Sequence, residues 1–513
     1  MCCCCESILF TIQIIHDRES RDVSPDSALN LIQNLFIQGA VKGLPLCAGL
    51  GTCGRCALLF HANPPRPSQK DIDYFSSLEL EKGYRLGCAH YPAPGQSLEL
   101  AGARMGSSFS WASSKPAFCL GIDIGTTSIK WAFEHQDGQM SLGETLNPQM
   151  GAGPDIMSRL SFALEHQKNF KYLTALVLDE VRAILTLDRV PENSVCLTGN
   201  PAMLYFLLGL DVSGLSFAPY RLDYRGGMLE KIQPGNAAVF IPALCSPFLG
   251  ADISAGLTWV QKTLKPEYPF LLADLGTNGE LVLALSSEKY LATSVALGPA
   301  LEGIGLRWGS PYGKGIASRF VYTPDGLHPD GDWPQGRVSG CGYISLLALL
   351  LRLKMMSASG QLMKQDSNPA ARKVMNSIRD GRLYLGSHFF LDGKDIEEVL
   401  KVKAAFTLGL SFLCAKGGIS LDKLKTIYIA GAMGKHARAR DLETLGFFPP
   451  GSYLKMRVLG NTSLLGALLL ARNMKCRDMN LSQAGLVQTL NLGTRQDYLA
   501  QEFGRHMIFQ YPG

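Results

Sequence analysis

Four cysteines near the start of the chain have the spacing of a metal-cluster site. Cys47 and Cys53 are separated by five residues, Cys53 and Cys56 by two, and Cys88 follows 31 residues later. Glycine adopts positive φ, so the glycine-rich loop can wrap three thiolates around one cluster with backbone N–H groups facing its sulfides. Structural zinc also takes four thiolates, but usually as two close pairs. The spacing therefore favours an iron–sulfur cluster.

Two copies of a short motif indicate a second kind of site. An apolar strand ends at Asp123 before a Gly-Thr-Thr turn, and about 150 residues later Asp274 precedes Gly-Thr-Asn-Gly-Glu. A carboxylate at a strand end can hold Mg²⁺ through water, while the turn offers hydroxyl and backbone N–H groups to phosphate. The repetition indicates an internal duplication with a phosphate loop in each half. These loops supply Asp123, Gly125, Thr126, Thr127, Lys130, Asp274, Gly276, Thr277, Asn278, Gly279 and Glu280.

The cysteines need a small mixed domain to position them. Alternating apolar residues predict strands over Ile8–Ile15, Ala57–His61 and Ser97–Ala101. Helices are predicted over Ser27–Gln38 and, just before the fourth cysteine, over Gln69–Glu81. The following segment from Gly102 to Lys115 is rich in Gly, Ser and Ala and is interpreted as a linker.

From Phe118 onward, apolar strands ending in glycine turns alternate with amphipathic helices, which is typical of an α/β domain. The clearest helix is predicted over Asp395–Lys416, where apolar residues recur every three or four positions and two glycines follow. A third strand runs into a glycine turn that contains Gly431 and Gly434. About 350 residues of this texture predict two lobes.

Together these motifs resemble a known combination. The cysteine spacing is similar to that of adrenodoxin-like 2Fe-2S proteins, and the loops resemble the two phosphate loops and the adenosine loop of the actin, sugar-kinase and heat-shock-chaperone superfamily. A fusion of the two resembles the reductive activators of corrinoid proteins, which restore Co(I) in corrinoid methyltransferase systems. The Ala-Asp-Leu-Gly-Thr-Asn-Gly-Glu form of the second loop is the most specific motif. Further segments resembling the family are Thr198–Leu204, Leu208–Asp211, Leu249–Asp252, Ala255–Leu257, Gly298–Gly303 and Gly460–Ala467.

This resemblance implies an α/β protein with an N-terminal β-grasp 2Fe-2S ferredoxin domain and a two-lobed actin-like (ribonuclease H-like) ATPase domain. The boundaries expected are 1–101 for the ferredoxin domain, 102–117 for the linker, 118–472 for the ATPase with lobes of about 118–265 and 266–472, and 473–513 for a C-terminal extension.

The resemblance also implies an activity and residue roles. An external low-potential donor would reduce the cluster, which would pass one electron to the Co(II) corrinoid of a partner protein at the expense of ATP. The cluster ligands would be Cys47, Cys53, Cys56 and Cys88, and the catalytic candidates Asp123, Asp274 and Glu280, with Mg²⁺. The ATP-binding candidates are Gly125, Thr126, Thr127, Lys130, Gly276, Thr277, Asn278, Gly279, Gly431 and Gly434.

The chain departs from the family pattern in two places. Only about 25 residues separate the ferredoxin-like part from Asp123, so we expect the extra middle domain of some relatives to be absent or very reduced, which leaves a homodimer through it in doubt. The adenosine loop reads Ala-Gly-Ala-Met-Gly where Ala-Gly-Gly-Phe-Gly is usual, which removes an aromatic ring from the base site.

Composition narrows the partners. A net charge of +5, from 49 basic and 44 acidic residues among 513, is too diffuse to indicate nucleic acid or an anionic membrane as the main partner. No run approaches the 18 or more apolar residues of a spanning helix, and the start lacks the basic region of an export signal, so we expect a cytoplasmic protein. The run Cys2–Cys5 lacks metal-ligand spacing and is interpreted as incidental.

Two other functions fit parts of the pattern. A small-molecule kinase with a fused redox-sensing ferredoxin domain would phosphorylate an added substrate without any corrinoid protein. A plain electron carrier with a vestigial ATPase fold would bind no nucleotide. The Asp-x-Gly-Thr pattern of both loops disfavours the carrier, and the ferredoxin fusion disfavours the kinase, because phosphoryl transfer needs no electron.

Overall fold

The computed structural model describes residues 10–16, 19–40, 54–101, 108–110, 112–232, 237–334, 336–363, 372–386, 389–431, 437–492 and 496–512. The chain divides into two compact units, of which the first comprises Met1–Gly106 with Pro148–Pro154 and the second Ser107–Asn147 with Asp155–Gly513. The run Cys2–Cys5 and most of the predicted linker before residue 108 lie outside the described residues.

The first unit is built on a five-stranded mixed sheet with the order β2-β1-β5-β3-β4. Strand β1 pairs antiparallel with β2 and parallel with β5, and apolar side chains of the sheet pack against helix α1. The elements are β1 (Ile12–His16), β2 (Glu19–Val23), α1 (Leu31–Ile37), β3 (Ala57–Ala62), α2 (Gln69–Tyr74), α3 (Ser77–Glu81), β4 (Tyr84–Leu86) and β5 (Ser97–Leu100).

The single helix predicted over Gln69–Glu81 is wrong, because the segment forms two helices, α2 and α3. Ser76 accepts the backbone N–H of Glu79 and starts α3 with a capping box, while Phe75 before it is extended. A serine that caps a new helix interrupts the previous one, since its own backbone leaves the helical region. The strands predicted near Ala57 and Ser97 are confirmed as β3 and β5.

The described part of the second unit contains two large sheets with their covering helices, and two small sheets of two and three strands. The first half of this unit contains β6 (Ser108–Ser110), β7 (Ala117–Ile124), β8 (Ser128–His135), β9 (Met140–Leu146), α4 (Ile156–Glu165), α5 (Gln167–Leu185), β10 (Val195–Gly199), α6 (Pro201–Leu208), α7 (Ser213–Ser216), β11 (Met228–Ile232), β12 (Ala237–Ile241) and α8 (Ala251–Trp259).

The remainder of the second unit contains β13 (Phe270–Leu275), β14 (Asn278–Ser286), β15 (Lys289–Ala296), β16 (Phe320–Thr323), β17 (Gly326–Pro329), α9 (Gly340–Arg352), α10 (Arg372–Met375), β18 (Ile378–Arg379), β19 (Arg382–Leu385), β20 (Phe389–Leu391), α11 (Gly393–Gly417), β21 (Thr426–Ala430), α12 (Ala439–Thr444), β22 (Met456–Gly460), α13 (Thr462–Arg472), α14 (Met474–Leu486), β23 (Val487–Thr489) and α15 (Gln496–His506).

The two large sheets repeat one arrangement. The orders are β11-β12-β10-β7-β8-β9-β6 and β22-β21-β13-β14-β15-β23. In each, three consecutive strands form an antiparallel meander, and two later strands add in parallel on the side of the first strand. This repeat confirms the internal duplication, and the unit has the two-lobed actin-like ATPase fold that the sequence predicts.

Helix α11 confirms the clearest helix prediction. It begins after Asp392, whose carboxylate accepts the N–H groups of Lys394 and Asp395, and it ends where Gly418 takes φ +64°. A residue in the left-handed backbone conformation cannot continue a right-handed helix, and glycine adopts this conformation without steric cost. The apolar residues of α11 lie in the core against β14 and β15.

Part of the predicted linker is a strand. β6 pairs antiparallel with β9 at the edge of the first large sheet, and Phe109 stacks on the ring of Trp131 with centroids 5.9 Å apart. The Gly-, Ser- and Ala-rich composition did not predict this strand, because a strand that pairs with the edge of an existing sheet needs few apolar residues. In the described part of the chain, no helix is long and apolar enough to cross a membrane.

The last elements of the chain tie the two sheets together. Helix α13 packs against β7 and β10 of the first large sheet, although it follows β22 of the second. Strand β23 adds to β15, and α15 packs on α11, where the buried Lys403 ammonium donates to the carbonyl oxygen of Gln510 at 2.6 Å. The described residues after Arg472 therefore pack as part of the second unit.

Candidate functional site

Two of the four predicted cluster cysteines lie side by side in the first unit. Cys56 precedes β3 and Cys88 follows β4, and their Sγ atoms are 3.4 Å apart. The antiparallel register places Ala57 opposite Leu86, and the N–H of Gly87 donates to the carbonyl of Cys56 at 2.8 Å. Cys47 and Cys53 lie outside the described residues.

Asp71 fixes the segment that carries Cys88. Its buried carboxylate accepts the backbone N–H of Leu86 at 2.7 Å, the hydroxyl of Ser68 at 2.7 Å and the ring of His90 at 2.6 Å. Burial alone would raise the pKa of Asp71, but these hydrogen bonds outweigh it and hold the pKa at about 2. The contacts of Asp71 with Leu86 and His90 gave no sequence signal, because these residues meet Asp71 only in the folded unit.

The first phosphate loop is a tight turn between β7 and β8. The N–H of Gly125 donates to the carbonyl of Ser128 at 3.0 Å, and a Cβ at Gly125 would lie 2.7 Å from that oxygen. Only glycine therefore fits the turn. Lys130 lies opposite Asp123 in the strand register, and its Nζ is 3.7 Å from Glu144.

Buried side chains hold this loop from behind. Arg159 of α4 donates to the carbonyl of Thr126 at 2.5 Å, and Asn147 donates to the carbonyl of Gly125 at 2.8 Å. Asn200, the N-cap of α6, donates to the Thr126 hydroxyl at 3.1 Å. Arg159 is fully buried, and this burial lowers its pKa to about 9.

The Asp123 carboxylate accepts two hydrogen bonds from a distant part of the chain and lies near a third polar side chain. Asn461 donates to Oδ2 at 2.7 Å, and Ser463 donates to Oδ1 at 2.8 Å. The hydroxyl of Thr198, at the end of β10, lies 3.4 Å from Oδ1. These three residues fall in segments that resemble the family, but their role becomes visible only because α13 returns to the first sheet.

The second phosphate loop faces the first. It connects β13 and β14, with the Gly276 N–H donating to the carbonyl of Asn278 at 2.9 Å and Glu280 opposite Asp274 in register. The Oγ1 atoms of Thr127 and Thr277 are 3.3 Å apart, so the two predicted loops meet.

One predicted loop residue faces the core. A Cβ at Gly279 would lie 2.8 Å from the Leu297 side chain on the neighbouring part of the sheet. Gly279 therefore serves close strand packing in this structure.

Carboxylates surround the meeting point of the loops. Burial raises the pKa of Asp274 to about 7, and the charges of Asp252 and Asp123 add to the rise. Asp252, near the start of α8, also has its pKa raised to about 7 by burial and by Asp123. For Glu280, burial followed by Asp252 and Asp274 raises the pKa well above its ordinary value. Such crowding of acids is costly unless a cation relieves it.

Lys130 is one cation within this group. Burial opposes its charge, but the carboxylates of Glu144, Asp123, Glu302 and Asp274 outweigh that effect and raise its pKa. In the described ranges, no three His, Cys, Asp or Glu side chains lie close enough to hold a metal ion by themselves. Mg²⁺ commonly keeps several waters and binds through one or two carboxylates and substrate phosphates, so the acidic group suits a nucleotide-bound Mg²⁺.

The third predicted element reaches the same place. β21 lies parallel to β13 with Ala430 opposite Asp274, and the next residue, Gly431, has φ +86°. A Cβ at Gly431 would collide with the Asp274 carboxylate, so glycine is required there. Gly434 lies outside the described residues.

The structure thus brings most of the predicted nucleotide residues together, while their roles stay predictions. Sequence reasoning did not assign roles to several residues at the same place. Asn147 and Arg159 carried no signal, whereas the others lie in segments that resemble the family: Thr198, Asn200, Asp252, Glu302, Asn461 and Ser463.

Two family models match the second unit in chain order. The model described as the RACo middle region matches residues 118–263, and the one described as the C-terminal domain of RACo, the ASKHA domain, matches residues 269–511. The region that matches the middle-region model coincides with the predicted first lobe of about 118–265. The expectation that an extra domain before Asp123 is absent or very reduced stays a prediction.

Curated relatives and a solved structure agree with these matches. The chain is 27% identical over 390 residues to the corrinoid activation enzyme RamQ of Eubacterium limosum, covering 69% of this chain and 64% of RamQ, which is just under two thirds of its length. It is 25% identical over 392 residues to the [Co(II) methylated amine-specific corrinoid protein] reductase of Methanosarcina barkeri, covering 67% of this chain and 68% of that protein.

The solved structure described as the reductive activator for corrinoid, iron-sulfur protein superposes with a TM-score of 0.68 at 20% identity. The match covers 98% of this chain and 99% of that chain, which shows a shared fold. The two family models follow one another along the chain, over residues 118–263 and 269–511. The chain therefore belongs to the RACo family.

Proposed function

We propose that this protein is an ATP-dependent reductive activator that transfers one electron from a 2Fe-2S cluster to the Co(II) corrinoid of a methyltransferase-system protein, restoring Co(I). The contact between Thr127 and Thr277, inside a group of carboxylates, is the observation that supports this proposal best. The contact joins the two turns that we propose to bind phosphate, in a chain whose first unit also has Cys56 beside Cys88.

The first unit suits a β-grasp ferredoxin. Its strand order and single long crossover with α1 fit that fold, and its cysteine sulfurs are 3.4 Å apart. Metal–thiolate bonds of about 2.3 Å at tetrahedral angles separate two sulfurs by about 3.7 Å, so Cys56 and Cys88 suit two ligands of one iron. Cys47 and Cys53 would complete the set, and the bound cluster would supply one-electron transfer. Asp71 keeps the Cys88 segment in place through Leu86.

The second unit would bind MgATP between its lobes. Thr126, Thr127, Thr277 and Asn278 would contact phosphates, with Lys130 as a nearby positive charge. Asp123 and Asp274 would hold the metal through water. Gly125 and Gly276 make the turns possible, and Gly431 with Gly434 would border the nucleoside.

ATP has a thermodynamic role in this proposal. Protein-bound Co(II) is harder to reduce than a ferredoxin-like cluster, and each 59 mV uphill for one electron costs about 1.4 kcal/mol. A nucleotide that binds both loops favours one arrangement of the lobes, and a partner protein that prefers the same arrangement would be driven by it. The partners would be the corrinoid protein and an external low-potential donor.

The decisive experiment is anaerobic. The purified protein, Ti(III) citrate and MgATP are mixed with one of two Co(II) corrinoid proteins, a methylated-amine-specific one or the corrinoid iron–sulfur protein, and the Co(I) absorbance is followed. We expect Co(I) to form with at least one of them, and only with ATP. Equal rates without ATP for both would falsify the proposal. Phosphorylation of an added sugar without any corrinoid protein would favour the kinase alternative.

A cysteine variant tests the division of labour between the units. Cys88→Ala should abolish the visible iron–sulfur spectrum and leave ATP binding intact, because Cys88 lies in a separate compact unit. Cys414→Ala, a buried thiol on α11 in the second unit, is the matched control and should keep the spectrum. Loss of both properties in Cys88→Ala would contradict the assignment of the cluster and the nucleotide to independent units.

A further inference from the structure

Glu302 lies at the meeting point of the phosphate loops without an assigned role. It ends the short turn Pro299–Glu302 after β15. Its Oε1 accepts the hydroxyl of Thr277 at 3.0 Å. Its Oε2 is buried and, among the described residues, has no hydrogen-bond partner. A buried carboxylate oxygen without a hydrogen-bond partner raises the free energy of the folded protein. A bound ligand or a water molecule could supply the missing hydrogen bond.

The position of Glu302 joins both loops. Thr277, which donates to Glu302, is 3.3 Å from Thr127, so a chain of polar groups runs from Glu302 across the second loop to the first. Two such loops that face each other can bind the terminal phosphates of a nucleotide from two sides through their backbone N–H groups and hydroxyls. The Glu302 carboxylate thus contacts the second loop directly at Thr277 and is linked to the first loop through the contact between Thr277 and Thr127.

Glu280, one of the catalytic candidates from the sequence, has different surroundings. It lies on β14 opposite Asp274, and its side chain is hydrogen-bonded to Asn278. Its strongest charge neighbours are Asp252 and Asp274. The side chain of Glu280 therefore has a hydrogen-bond partner in Asn278, whereas Glu302 has one buried oxygen with no partner among the described residues.

We propose that Glu302 is the general base of ATP hydrolysis and accepts a proton from the attacking water through Oε2. This inference rests on the proposed ATPase activity. The water oxygen forms a bond to the γ-phosphorus as the bond from that phosphorus to the bridging β–γ oxygen breaks, and ADP leaves with the electron pair. The proton taken by Oε2 then passes to solvent, so that ADP, inorganic phosphate and one proton are released.

The surroundings of Glu302 agree with this role. Burial raises its pKa, while Lys130, the Thr277 hydroxyl and Arg159 act in the opposite direction, and burial prevails. A carboxylate with a raised pKa is a stronger base, and the nearby cations of Lys130 and Arg159 help to keep it ionised near neutral pH.

The test compares variants of the whole protein in steady-state ATP hydrolysis. Glu302→Gln keeps an oxygen for the Thr277 hydroxyl but removes the base, so kcat should fall about 100-fold or more while the Kd for ATP, measured by calorimetry, changes less than about threefold. Glu397→Gln, on the exposed side of α11 next to Lys401, is the matched control and should hydrolyse ATP at the normal rate. Glu302→Asp, which keeps the charge but withdraws the carboxylate by one methylene, should lose about tenfold.

The outcomes separate this inference from the proposed function. A wild-type ATPase whose Glu302→Gln and Glu302→Asp variants remain active overturns the inference and leaves the proposed function standing. If Glu280→Gln loses more activity than Glu302→Gln at full ATP binding, the base is Glu280 and the inference is again overturned. A wild-type protein that binds no ATP overturns the proposed function and this inference together.

Discussion

The two phosphate loops share a sequence pattern but differ in what supports them. In the first, Asp123 accepts hydrogen bonds from Asn461 and Ser463, and the buried Arg159 holds the turn through the Thr126 carbonyl. In the second, no described side chain donates a hydrogen bond to Asp274, whose pKa is raised to about 7 by burial and by neighbouring carboxylates. Other side chains of the protein therefore satisfy the polar groups of the first loop, whereas the Asp274 carboxylate of the second loop lies among other negative charges.

This difference assigns different tasks to similar motifs. A loop whose polar groups are already satisfied keeps its shape with or without ligand, and so can position a phosphate without reorganisation. A carboxylate among carboxylates gains most from a cation, so its free energy changes most when Mg²⁺ and nucleotide bind. We therefore expect the second loop to couple nucleotide binding to movement of the lobes.

Removing the charge of the second loop should have the largest effect. We expect Asp274→Asn to lower Mg²⁺-dependent ATP hydrolysis about 100-fold, because it weakens the water-mediated hold on the metal. The same variant should unfold at a higher temperature without ligand, because one of several repelling carboxylates is gone. Activity assays and thermal unfolding of the same samples check both parts. Asp325→Asn, an exposed turn residue, is the control, and a less stable Asp274→Asn would contradict the comparison.

Weakening the support of the first loop should affect stability. Arg159→Leu removes the side chain that donates to the Thr126 carbonyl, so this buried oxygen loses that hydrogen bond. The free energy of unfolding should therefore fall by about 2 kcal/mol. Urea unfolding measures the change. Arg182→Leu, which removes a partly exposed ion pair with Asp179, should cost under about 0.5 kcal/mol. Equal losses in the two variants would mean that the first loop is not held by Arg159.

The second loop should also respond to pH. Asp274 has a pKa of about 7 when folded against an ordinary value of 3.8, so the folded protein binds this proton more tightly than the unfolded chain. Stability from this group is therefore greatest below about pH 4 and declines as the pH rises towards 7. Between pH 5 and 8, we expect the ligand-free wild type to lose on the order of 1–2 kcal/mol relative to Asp274→Asn. Parallel unfolding curves for the two proteins across this range would show that Asp274 does not carry the effect.

The sequence predicted the backbone of both loops, because a glycine turn after an apolar strand is determined locally. It could not predict Arg159, since an arginine on α4 gives no sign that it is buried behind a turn 33 residues earlier. Asn461 and Ser463 lay within a segment resembling the family, yet their role depends on the return of α13 to the first sheet. What the sequence missed are contacts between distant segments.

The first unit shows the same limit. The spacing of its cysteines predicted a common site, and Cys56 and Cys88 do meet. The Asp71 carboxylate that fixes one of them bonds to Ser68 in its own segment and to Leu86 and His90, which lie 15 and 19 residues later in the chain. The single helix predicted over Gln69–Glu81 is two helices, because Phe75 is extended and Ser76 caps a new helix.

The smallest expected effect separates the individual donors to Asp123. Ser463→Ala removes one hydrogen bond to Oδ1 and the contact of 2.7 Å with the Thr198 hydroxyl, but Asn461 still donates to Oδ2. We expect a loss of about 1 kcal/mol in the free energy of unfolding and less than a threefold change in ATP affinity, measured by urea unfolding and calorimetry. Ser482→Ala, an exposed serine on α14, should change neither. If Ser463→Ala instead lowered ATP affinity as much as Asp274→Asn, the first loop would depend on its ligand as the second does, and the contrast between the loops would be lost.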